Sequence, residues 1–174
     1  KLETNLGSTN GANITLQGAL NGATPGADSI TLTSGTGTIT ATGLVGATNR
    51  LGSIILGPNA GVTMSSAVVA DKLHSIAPST GTLRFDAPVS APLGVNLSAK
   101  AIESSSITTS RKGAAAGDIS LTANSITLRG DILAKAISTG LPGFNAKGGA
   151  ITLQGAVVLD APTVRLDNEP VSGA

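Results

Sequence analysis

The chain has 174 residues, enough for one ordinary domain, yet it contains 2 Phe, no Trp, no Tyr and no Cys beside 23 Gly. This excludes a core of aromatic anchors, a disulfide framework and a thiolate metal site, and leaves packed aliphatic side chains and backbone hydrogen bonds as the source of stability. The 11 Lys and Arg and 10 Asp and Glu are scattered, with Arg111 and Lys112 the one adjacent basic pair, so there is no footprint for nucleic acid.

Lys1 to Gly11 is polar and reads as a strand or arm. No charged n-region followed by an apolar h-region opens the chain, which is the expectation for a segment whose secretion signal has been removed or belongs to a longer precursor. With neither an apolar run of about 18 residues nor a basic amphipathic stretch, no membrane insertion is expected. A hydrophobic fraction of 40% argues against disorder.

The first regular feature is Ile14-Thr15-Leu16, and the same tripeptide returns at Ile30 to Leu32, Ile126 to Leu128 and Ile151 to Leu153. Ile54-Ile55-Leu56 and Ile119-Ser120-Leu121 are variants of it. Apolar, polar, apolar is the period-two pattern of a short strand with one buried face, and β-branched residues suit it. Asn21 to Leu32 aligns without gaps on Val45 to Leu56 at an offset of 24, with Gly22/Gly46, Ala23/Ala47, Thr24/Thr48, Ser29/Ser53, Ile30/Ile54 and Leu32/Leu56 identical. Ile14 and Ile39 are 25 apart.

A period near 24 that holds two or three short strands joined by turns is what a coil of a β-solenoid requires, each strand stacking on its equivalent one coil away. The expected fold is therefore all-β, a parallel β-solenoid of about seven coils of roughly 24 residues forming a single domain over residues 1–174. Gly18, Gly22, Gly37, Gly43, Gly52, Gly81, Gly117, Gly130 and Gly149 lie near strand edges, where corners need positive φ or tight turns. The rhythm blurs between Ser66 and Lys112, and Ala67 to Ser75 fits a short helix or an apolar strand. It returns from Gly117 to Ala134. Ser138 to Gly148, with Leu141-Pro142-Gly143-Phe144, reads as a loop insertion over residues 138–148. Val164 to Asp167 is again strand-like, with no capping helix in view.

Gly117-Asp118-Ile119-Ser120-Leu121-Thr122-Ala123, Ser125 to Ile132 and Gly35 to Leu56 resemble the filamentous-haemagglutinin-type repeats of large secreted bacterial exoproteins and of giant adhesin-like proteins. The resemblance implies a right-handed parallel β-helix, export to the cell surface and a part in adhesion or matrix, and it supplies no catalytic residue.

The candidate chemistry is sparse. His74 is the one histidine, which rules out a His-based metal cluster and leaves a Ser-His-Asp arrangement without a nucleophile-elbow pattern. Asp118 and Asp131 each follow Gly and precede Ile, a turn position where a carboxylate accepts backbone amides; Asp160, Asp167 and Glu169 form a second acidic group. Phe85 reads as a core filler and Phe144 as a loop anchor or subunit contact, too few rings for an extended sugar groove. Gly35-Thr36-Gly37-Thr38 is a turn, because no helix follows to hold a phosphate. Thr15, Thr31, Thr40, Thr127 and Thr152 point outward on the expected strands and raise ice binding, which needs regular paired threonines.

The expectation is thus a non-enzymatic, secreted structural or adhesive element with no catalytic, cofactor-binding or metal site. Its expected partners are copies of itself head to tail, further coils of the same polypeptide, or cell-surface glycans. A carbohydrate-active β-helix enzyme is the alternative.

Overall fold

The computed structural model describes residues 1–4, 10–139 and 147–170. The described residues are all-β: seventeen strands, no helix, and every strand pairing parallel. Fifteen strands belong to one sheet, and Arg111–Lys112 with Ala136–Ile137 make a second, two-stranded one.

The large sheet resolves into three ladders. In the first, Ile30, Ile54, Leu73, Val95, Ile119 and Ile151 succeed one another in register, and Leu2 pairs with Leu32 at the start. In the second the rungs are Ile14, Ile39, Val62, Leu83, Ile102, Ile126 and Val157. The third runs Leu20, Val45, Val68, Val89, Ile107, Ile132 and Leu166. The chain visits the second, third and first ladder in turn before it moves up one rung. This scheme is compatible with the solenoid expected from the sequence, and the aligned pair Ile30 and Ile54 is a true register pair.

The core is the column of inward residues common to the three ladders. Ile39, Leu56, Leu83, Leu97, Ile102, Ile107, Ile119, Ile126 and Ile132 are fully buried. Small and β-branched side chains stack here because parallel register brings like residue over like residue, and the alternation that puts them inside puts their neighbours out. Phe85 is fully buried between Met64 and Ser104 in the second ladder, as a core filler.

The four Ile-Thr-Leu tripeptides divide between ladders: those at Ile14 and Ile126 lie in the second, those at Ile30 and Ile151 in the first. The blurred middle has a plain cause. From Val68 to Leu73 the chain passes from the third ladder to the first within the single strand Val68–Ser75, which settles the helix-or-strand alternative for Ala67 to Ser75 in favour of strand. Rungs there are closer in sequence: Ile54 to Leu73 is 19 residues and Val89 to Ile107 is 18. Further on, Ile132 and Leu166 are 34 apart.

The positive-φ half of the glycine expectation needs correction, whereas Gly37 does close a tight turn onto the carbonyl of Ser34. None of the nine glycines named above has positive φ; that conformation occurs at Gly26, Gly35, Gly46, Gly61, Gly94, Gly113 and Gly155. What most of the nine provide is room. A Cβ on Gly37, Gly52, Gly81, Gly117, Gly130 or Gly149 would come within 3.0 Å of the backbone of the neighbouring rung. Their role is close approach of stacked backbones. The expected loop insertion at 138–148 lies for the most part outside the described residues, as does Phe144.

Candidate functional site

The side chains singled out in the sequence do not converge. Among the described residues no group of three His, Asp or Glu could hold a metal ion. His74 faces outward on the first ladder between Ile55 and Asn96, and burial together with the nearby Lys72 lowers its pKa.

Asp118 and Asp131 do accept backbone amides, but across rungs and not within their own turns. Asp118 Oδ1 takes the amide of Ala150 at 2.8 Å and Asp131 Oδ1 that of Arg165 at 2.9 Å. Asn13 Oδ1 treats Thr38 in the same way at 2.9 Å. Each acceptor immediately precedes an inward Ile, and each donor precedes the next rung of that ladder. An Asn or Asp before a strand-initial Ile is thus a rung-to-rung clamp, a sequence signal that the turn reading missed.

Charged residues outside the second ladder form a chain of alternating sign. Arg84 pairs with Asp86 at 2.6 Å and with Glu103 at 3.6 Å; Arg129 then pairs with Glu103 at 2.6 Å and Asp160 at 3.2 Å. Hydrogen bonds to Glu103 and then Asp160 raise the pKa of Arg129. The outward row of this ladder reads Thr15, Thr40, Thr63, Arg84, Glu103, Thr127, Val158, so its threonines do not run unbroken.

The acidic group near the end separates. Asp160 ends the charged chain, whereas Asp167 is buried, takes Lys135 Nζ at 2.6 Å, pairs with Arg165, and accepts the amide of Glu169 at 2.9 Å. The hydrogen bond from Lys135, then that from the Glu169 amide, holds its carboxyl below the usual carboxylate range. A depressed folded-state pKa stabilises the fold above the unfolded value of about 3.9, and that stabilisation disappears as pH falls through the folded value. Asp167→Asn is therefore expected to be less stable than the parent at pH 7, with the gap closing in strong acid; urea titrations at both extremes read it directly.

The most distinctive surface is the edge formed by the last rungs. Strands Ile151–Leu159 and Leu166–Asp167 each pair with one neighbour among the described residues. Val157, Leu159 and Leu166 are 42%, 58% and 51% exposed, although Ile126, Leu128 and Ile132 directly beneath them are fully buried. At the opposite edge Ile14 is 4% exposed and Leu2 38%. Among the described residues the column of core side chains is therefore uncovered at the last rungs, beside a row of backbone donors and acceptors that can receive a further parallel strand.

No family model, curated protein or solved structure matches the chain.

Proposed function

We propose that this chain is a segment of a right-handed β-solenoid, about seven coils of roughly 24 residues, that serves as an extracellular structural or adhesive rod. At the ordinary interstrand spacing of ~4.8 Å, seven coils give a rod of about 30 to 35 Å. Extension takes place at the uncovered C-terminal edge, where a further coil stacks, supplied by another copy head to tail or by the same polypeptide. The resemblance to filamentous-haemagglutinin-type and giant adhesin-like repeats favours secretion and a cell-surface location.

The observation that carries this reading is the exposure of Val157, Leu159 and Leu166 on top of fully buried equivalents. The register supports it: continued by one rung, the ladders bring Leu2 over Leu153, Leu16 over Leu159 and Leu20 over Leu166, apolar on apolar, while Ile14, opposite Val157, is already buried within its own chain. A stack that does not close on itself grows as a filament.

Light scattering and electron microscopy over a range of concentrations test the proposal. The parent chain is expected to form rods that lengthen with concentration, and Val157→Lys with Leu159→Lys to leave single short rods. A parent chain that stays monomeric at every concentration would refute end-to-end extension.

A further inference from the structure

The connection from the third ladder to the first varies far more than the others. It spans Leu20 to Ile30 and Val45 to Ile54, shrinks to five residues from Val68 to Leu73 and six from Val89 to Val95, then grows to twelve from Ile107 to Ile119. Short connections between longer ones leave a saddle in the side of the molecule.

Two adjoining hollows occupy this saddle. One, of about 270 Å³, is lined by Arg50, Asp71 and Arg111 among others; the second, of about 260 Å³, by Lys72, Asn96 and Asp118. Leu93, 50% exposed, lies between them and lines both. Each is slightly below the ~300 Å³ at which small-molecule pockets begin, and both are open to solvent.

The charges in the saddle do not cancel. Arg50 is matched by Asp71 at 2.5 Å, and Asp118, which accepts the amide of Ala150, offsets one of the two remaining cations, so the lining carries a single net positive charge. Lys72 and Arg111 make no ion pair among the described residues. The main chain of Arg111 is held by the pairing of Arg111–Lys112 with Ala136–Ile137 in the small second sheet.

We propose that this saddle binds a carboxylate-bearing oligosaccharide, one sugar ring to each hollow. Arg111 presents a planar fork that matches a carboxylate, and Lys72 supplies a point charge in the neighbouring hollow. Leu93 offers an apolar surface to a pyranose face, while Ser90, Asn96 and Ser120 meet hydroxyl groups. The site deepens the adhesive part of the reading above. It stands apart from the C-terminal edge, so loss of binding leaves rod growth untouched and the two ideas fail separately.

Calorimetric titration with a short oligogalacturonate, with a maltooligosaccharide as the uncharged counterpart, tests it. The acidic sugar is expected to bind and the neutral one not. Arg111→Gln and Lys72→Gln should each weaken binding about tenfold, whereas Lys100→Gln, the same charge change at an exposed position outside the saddle, leaves it within about twofold. Unchanged melting curves show that the variants are folded. No heat with oligogalacturonate, equal weakening by Lys100→Gln, or equally tight binding of a poly-glutamate peptide would each overturn the proposal.

Discussion

Phe85→Ala is expected to cost about 3 to 5 kcal/mol, the usual loss on emptying a buried aromatic position. Phe85 heads the largest fully buried side chains, stacked between Met64 on one side and Ser104 on the other. The interior is too narrow to collapse around the gap, because each rung is tied to two neighbours by backbone hydrogen bonds. Ser104 is the small residue that makes room for the ring, and its buried Oγ has no hydrogen-bond partner among the described residues. Ser104→Ala should accordingly raise stability by about 1 kcal/mol, through removal of an unsatisfied hydroxyl. Denaturant titration of both variants decides: a loss below ~1 kcal/mol for Phe85→Ala would mean that the column is not packed as described.

Gly81→Ala is the second large effect. Gly81 has an ordinary φ, yet a Cβ there would run into the carbonyl of Ala60 on the rung below. Backbone has to move, at a cost of about 1 to 3 kcal/mol. Gly18 is the matched contrast, with no positive φ and no heavy atom within 4 Å of the place a methyl would take, so Gly18→Ala should gain about 0.4 to 1 kcal/mol by stiffening the unfolded chain. The same chemical change thus carries opposite signs at two glycines that look alike in the sequence. Equal losses at both would return the explanation to backbone conformation.

That contrast shows what local sequence reveals. The offset of 24 that pairs Ser29 with Ser53, Ile30 with Ile54 and Leu32 with Leu56 is visible in the residues, because stacking rewards identity at inward positions. The rungs between Leu56 and Ile107 are hidden, because the connection after Val68 and Val89 is shortened and a fixed period no longer finds them. Glycine positions are visible but their physical reason is not: whether a glycine answers a dihedral or a passing backbone depends on what the next rung does. The clamps at Asn13, Asp118 and Asp131 are half legible, their acceptor role plain and their long-range partners out of view. The exposed end at Val157, Leu159 and Leu166 has no local signature, since these residues have the same apolar character as their buried equivalents.

Register stacking is tested most directly by nitroxide labels, which the absence of cysteine allows to be placed cleanly. Thr40 and Thr63 are outward register partners on adjacent rungs, and Arg84 continues the row one rung further. Labels at Thr40 and Thr63, ~4.8 Å apart along the ladder, should give the collapsed, exchange-narrowed spectrum of spins in contact; labels at Thr40 and Arg84, about twice as far, should give dipolar broadening alone. A Thr40 and Thr63 spectrum equal to the sum of the two single-label spectra would contradict the stacking of successive rungs.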